Sequence, residues 1–286
     1  MEVQWMLPDD DMKGIMMLFH GCTHAGGDWF TLPEDSRIVD AVLRRGLAAV
    51  AFTSSDRDTQ CWDSSWPPRA NMDAALVANA MSQLAVRLVL GAQATMPVYA
   101  LGASSGGTFA TIVPGLTPTV GAAVYISPGH PEALRAKAGK PSLASSGVQR
   151  VAFLYMPRDR MWASEAAVTL AAEALQDAGV RTVDTYPVQP HPLTVDLMEE
   201  RLPGLTRGMA THMFQAFVRQ GAVTAEGVLL DDPRGFNLVE LLATASEAVP
   251  EDPLFYPALV ETLNACFGSH EMTSERVEEV LNTLLS

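Results

Sequence analysis

Short, wholly apolar runs alternate along this chain with longer stretches of helical period. Gly14 to Phe19, Leu47 to Phe52, Met96 to Leu101 and Val120 to Ile126 are runs of strand length. Such runs predict strands covered on both faces, as in a parallel sheet. Val148 to Tyr155 adds a fifth, and Val180 to Val188 alternates as an edge strand does. Between them apolar residues recur three and four apart. Ile38, Val39, Val42 and Leu43 form one such face, Leu76 through Leu84 and Leu88 a second, and Val168 through Leu175 a third. Asp35 or Ser36, Asn71 or Asp73, and Ser164 stand where helix caps belong, and Gly46, Gly91 and Gly179 where helices stop. Strand–helix alternation of this kind predicts an α/β fold, a doubly wound, mostly parallel sheet of about six strands.

Beyond residue 191 the pattern turns helical, around Leu197, at Met209 to Val218, at Leu238 to Ala248 and at Phe255 to Phe267. Pro203-Gly204, Asp232-Pro233-Arg234-Gly235 and Pro250 break it. A last helix carries Val277, Val280, Leu281 and Leu284, with Thr273 or Ser274 as its cap. The 286 residues fit one domain spanning 1–286. At 48% apolar and 18% charged residues, the chain has material for a large core and little for disordered tails. The net charge of −14 argues against nucleic acid and against anionic membranes. No stretch has the length and purity of a membrane span. Met1 to Trp5 lacks the basic and apolar regions of a signal peptide, so a cytoplasmic location is expected. Three cysteines do not make a disulfide framework, and free thiols are the default, with a Cys22–Cys61 bridge conceivable. No metal-ligand spacing and no dinucleotide fingerprint is present, so neither metal nor cofactor is expected.

One stretch carries chemistry. Gly102-Ala103-Ser104-Ser105-Gly106 follows an apolar strand and precedes a helix, the setting of a nucleophile elbow. Its glycines suit a tight turn with unusual backbone angles. Ser104 is the candidate nucleophile. Ser105 is the rival, flanked less suitably by Ala103 and Gly107.

Here the chain resembles the α/β-hydrolase family. His20-Gly21-Cys22-Thr23-His24, Ser54-Ser55-Asp56-Arg57, Cys61-Trp62, Gly102 to Gly107 and His270-Glu271 together are similar to a plant and algal group within it. The resemblance implies a Ser–acid–His order of catalytic residues. Asp159, just past the strand that ends at Tyr155, takes the place of the acid. His191, His212 and His270 follow it. His212 lies in an amphipathic helix pattern, and His191 sits in a Pro-His-Pro turn after the last strand. The resemblance favours His270, before the terminal helix, and makes residues 191–268 a helical insertion or cap. It further implies an oxyanion hole from the backbone N–H groups of Cys22 and Ser105, while the little chain before residue 14 predicts that the family's usual first hairpin is missing or reduced. His20 is read as a structural residue holding its loop. Trp29-Phe30 suits an acyl-pocket wall or plain core, Trp62 and Trp66 are placed at the cleft, and Asp56 with Arg57 as an ion pair.

The expected activity is hydrolysis of a carboxylic ester in a small acyl substrate through an acyl-enzyme. A peptidase, thioesterase, lyase or transferase of the same fold is an alternative. So is a non-catalytic receptor or scaffold, since a fold alone does not confer activity.

Overall fold

The computed structural model describes residues 1–88, 96–135, 142–245 and 249–286. Gly91 and Ala248, expected near helix ends, lie outside the described residues, as does the side chain of Leu88. The strands are β1 (Val3–Met6), β2 (Gly14–Phe19), β3 (Leu47–Phe52), β4 (Val98–Ala103), β5 (Gly121–Tyr125), β6 (Arg150–Tyr155) and β7 (Thr182–Pro187). The helices are α1 (Pro33–Arg44), α2 (Met72–Leu88), α3 (Ser105–Ala110), α4 (Pro131–Leu134), α5 (Glu165–Asp177), α6 (Val195–Arg201), α7 (Arg207–Arg219), α8 (Leu238–Ala243), α9 (Phe255–Phe267) and α10 (Val277–Leu285).

All seven strands join one sheet in the order β1-β3-β2-β4-β5-β6-β7. Every neighbour pairs in parallel except β1, which runs antiparallel to β3 from Val3↔Phe52 to Met6↔Ala49. The sheet thus has one strand more than the six expected. β1 escapes the periodicity because Trp5 and Met6 stay exposed, so backbone pairing rather than side-chain burial makes it a strand.

The continuous apolar runs are explained by burial on both faces. Met16 and Leu18 of β2 point to a cluster shared with α1 and α10. Ile15, Met17 and Phe19 point the other way, to Val77 of α2 and Phe109 of α3. Phe19, Phe52 and Phe109 are fully buried, each contributing about 2 kcal/mol or more of hydrophobic free energy. Val151 and Phe153 of β6 pack with Val168 and Leu175 of α5. β7 is an edge and only half-buried, as its alternation suggests.

Helix starts differ in detail from the expected caps. Asn71 Oδ1 accepts the Ala74 N–H at 2.8 Å, and Ser164 Oγ the Ala167 N–H at 3.3 Å. But α1 begins at Pro33, which is well suited to a first helical position. Asp35 and Ser36 therefore lie inside its first turns, not at its cap. Similarly α10 begins only at Val277, and Thr273 accepts the Glu275 N–H at 3.1 Å within the preceding loop.

Residues 191–268 hold α6 to α9, which share an apolar cluster of their own around Met198, Met213, Phe217, Phe255 and Leu259. Ala265, late in α9, packs instead with the sheet-facing cluster. No helix among the described residues is long and apolar enough to cross a membrane.

From β2 the chain steps to β3 on one side and, after α2, returns to β4 on the other. The loops after β2 and β4 therefore diverge, leaving a crevice at the carboxyl ends of the strands, where open α/β sheets bind ligands.

Candidate active site

Ser104 sits between the end of β4 and the start of α3, with φ 54° and ψ −116°. Such left-handed backbone is strained for a non-glycine residue and persists only where its surroundings over-determine it. The surroundings are backbone. A Cβ on Gly102 would stand 2.1 Å from the Gly106 oxygen, and one on Gly106 would stand 2.2 Å from the Phe19 oxygen. Only glycine permits these approaches. The Ser104 N–H donates to the Tyr125 oxygen at 2.9 Å, fixing the turn to β5.

Three residues distant in the chain meet here. Ser104 Oγ lies 3.0 Å from His270 Nε2, and His270 Nδ1 lies 2.5 Å from Asp159 Oδ2. Asp159 is buried, and its oxygens also accept the N–H groups of Met161, Trp162 and Ala163 at 2.9–3.1 Å. Burial alone would raise its pKa. The His270 bond and the N–H donors outweigh this and hold it below the ordinary carboxylate value. An ionised Asp159 accepts from Nδ1–H, which leaves Nε2 bare toward the serine.

The histidine loop is held from two sides. Arg234 donates through Nη2 to the Ser269 and His270 oxygens, 2.7 Å each. The Arg158 N–H donates to the Gly268 oxygen at 3.0 Å, with its guanidinium over the Phe267 ring. Arg234 was not singled out from the sequence. It belongs to a Pro-Gly turn that reads only as a helix break.

The other candidates are placed elsewhere. His191 Nε2 bonds the Glu275 carboxylate at 2.8 Å. The Cys266 sulfur and Glu275 push its pKa up to about 10, and its Nε2 faces Glu275, not Ser104. His212 is exposed on α7. The Ser105 hydroxyl is buried and has no hydrogen-bond partner among the described residues, while its N–H opens α3, where no intrahelical acceptor exists.

Cys22 lines the cleft beside Ser104. It is not the free thiol expected, for it forms a disulfide with Cys61, and Cys266 is the free, buried cysteine. A cysteine pair held in a disulfide gives no sign of a reducing compartment. His20 holds the loop as read. Its Nε2 accepts the Ser54 N–H at 3.1 Å and its Nδ1 faces the Gly21 oxygen at 2.6 Å. Burial lowers its pKa, consistent with a neutral ring.

The aromatic residues are distributed differently from expectation. Trp29 is fully buried in the core, so it walls no pocket. Trp62 donates to the His20 oxygen at 2.9 Å and stacks on Phe109 beneath the loop. Trp66 stacks on His130 instead of lining the cleft. Trp162, next to the Asp159 turn and 64% exposed, is the tryptophan that lines it. Asp56 turns to Thr59, not to Arg57, accepting its hydroxyl at 2.5 Å.

The cleft over Ser104 measures about 670 Å³. Pro257, Val260 and Glu261 of α9 wall it, so the helical segment contributes directly. Asp28, Asp35, Glu261 and Glu271 bring carboxyls to the same space. Burial, then repulsion from Glu261 and Glu271, pushes Asp35 well above the usual range. Burial, then Glu271 and Glu34, raises Glu261 to about 8. Glu271 is also raised by burial, against hydrogen bonds from the Asn264 amide and Met272 N–H. Among the described residues no cluster of three or more His, Cys, Asp or Glu has the arrangement of a metal site.

No family model matches the sequence, and no curated protein matches it. Solved structures do resemble it in shape. An acyl-protein thioesterase 2 from Zea mays is 14% identical, with 65% of this chain and 88% of that one covered at a TM-score of 0.42. An acetyl xylan esterase from Aspergillus awamori is 15% identical, with 62% and 74% covered at 0.47. An esterase from Thermogutta terrifontis is 15% identical, with 65% and 77% covered at 0.44. The strand order, the single antiparallel strand and the serine turn between β4 and α3 give this chain the α/β-hydrolase fold.

Proposed function

We propose that the protein is a serine hydrolase acting on carboxylic esters, with Ser104 as nucleophile, His270 as base and Asp159 as its carboxylate partner. The observation that carries the reading is the unbroken chain from Ser104 Oγ to His270 Nε2 at 3.0 Å and from His270 Nδ1 to Asp159 at 2.5 Å, opening on a cleft. As Oγ attacks an acyl carbonyl, its proton passes to Nε2, and Asp159 steadies the imidazolium that forms. The Cys22 and Ser105 N–H groups serve the developing oxyanion. Nε2 returns the proton to the departing alcohol. Water, activated by the same imidazole, then releases the acid and restores Ser104.

The strained turn supports this reading, because it presents Oγ above the backbone and away from competing partners. Residues 191–268 act in it as a cap whose α9 shapes the acyl or alcohol site. The test is covalent labelling by a fluorophosphonate probe together with hydrolysis of a short aryl ester. The parent protein is expected to be labelled and active. Ser104→Ala is expected to lose labelling and about four powers of ten or more in kcat. A folded parent protein that neither labels nor hydrolyses would refute the reading in favour of a receptor.

A further inference from the structure

The cleft over Ser104 has an unusual polar side. Asp35 is only 6% exposed and lines the cleft, yet no described donor reaches its carboxyl. Its place in the first turn of α1 accounts for an acid there, but not for one more than nine-tenths buried, facing the cleft, with no hydrogen-bond partner among the described residues. Glu261, 7% exposed, receives only the Glu34 N–H at 3.4 Å. Glu271 completes the group beside His270.

The neighbouring acids have cations of their own. Arg201 pairs with Glu34, and His24 with Asp28 at 3.2 Å. Asp35, Glu261 and Glu271 form no ion pair among the described residues, and no lysine or arginine lines the cleft. Arg37 acts on Glu261, and Arg234 and His24 on Glu271, only at a distance. Three carboxyls thus share one wall of the space that would receive the substrate, and of them Glu271 has the Asn264 amide and the Met272 N–H as donors while Asp35 has none among the described residues. Carboxyls grouped so closely repel one another when ionised.

We propose that this wall selects esters bearing an ammonium group, primary or quaternary, with Asp35 as the specificity-determining residue. The inference rests on the serine-hydrolase reading of the same site. A neutral hydroxyl would satisfy one oxygen of Asp35 but leave the repulsion among the carboxyls untouched. A cation does both. The apolar remainder of the cleft, Leu32, Ile126, Val260 and Met272, suits the carbon skeleton around such a charge.

The test compares kcat/KM within two matched pairs. One pair is choline butyrate and its neutral isostere with carbon in place of nitrogen. The other is the nitrophenyl esters of aminohexanoic and heptanoic acids. The cationic member of at least one pair is expected to lead by about tenfold or more. Asp35→Asn keeps the shape and removes the charge, and should bring that ratio toward one. Labelling of the wild-type protein by the fluorophosphonate probe supplies a second measurement, needing no variant. Hexylammonium should slow it and hexanol should not. If neutral esters are turned over as well as cationic ones in both pairs, the selection is refuted while the hydrolase reading stands. A ratio unchanged in folded Asp35→Asn removes Asp35 from the role. If no ester is cleaved and Ser104 does not label, the hydrolase reading fails and takes this inference with it.

Discussion

Glu261 makes the stability of this protein depend on pH in the direction opposite to most carboxylates. Its pKa rises from 4.5 to about 8 on folding, through burial first and then repulsion from Glu271 and Glu34, with Arg37 and the Glu34 N–H opposing. Between those two values the folded chain keeps a proton that the unfolded chain has released. The unfolded state therefore binds fewer protons, and stability must fall as pH rises. Linkage makes this one group cost about 1 kcal/mol near pH 5 and about 3 kcal/mol near pH 7, levelling off above about pH 8. Asp35 and Glu271, both shifted upward, act in the same sense. Glu34 and Asp159 are shifted downward. Their stabilising contributions fail only at lower pH, outside this window. Glu261→Gln should keep the contact with the Glu34 N–H and remove the titration. Urea denaturation at intervals from about pH 5 to 8 is the assay. The wild-type midpoint should drop steadily, and the Gln variant should drop less and exceed it by about 2–3 kcal/mol near neutrality. A wild-type protein as stable near pH 8 as near pH 6, or equal slopes for both proteins, would refute the reasoning.

Two further substitutions probe the histidine loop. His270→Ala should lose several powers of ten in kcat on an aryl ester, and His191→Ala, which disrupts the contacts with Glu275 and Cys266, should change it mildly. The reverse result transfers the base to His191. Arg234→Ala frees two carbonyls of that loop and should lower kcat about tenfold with little change in KM, while Arg234→Lys recovers part of it. A rate unaffected by both Arg234 variants would show that the loop holds its geometry without the guanidinium.

What the sequence disclosed was what local spacing controls. Gly102-x-Ser104-x-Gly106 is legible because the steric demand falls on neighbouring residues, and the chain itself lists them. The apolar strands are legible because both faces of the sheet are covered. Asp159 was named from the order of strands rather than from its own surroundings. Spacing does not separate His191 from His270, since both follow β7 and the partner of His191, Glu275, is remote in sequence. Trp29 and Trp62 read as aromatic residues near a site, but which way a ring turns is settled by packing. Asp35 was read as a helix cap, an ordinary place for an acid. Its isolation becomes visible only when α9 closes over it from residue 255 onward. β1 was missed for the converse reason: an exposed edge strand needs no apolar pattern.

The bond between Cys22 and Cys61 closes the chain into a ring with a sequence separation of 39 residues. Threaded on that ring are the whole of α1 and β3, and with them Asp35. An unfolded molecule carrying the hoop explores fewer shapes than an open one, a difference of about 4 kcal/mol in the loop-entropy model. The same hoop fastens the backbone beside Ser104 to the loop beyond β3. In surroundings that keep thiols reduced, the protein forgoes both the ring and the fastening, and the sheet contacts alone must hold that rim in place.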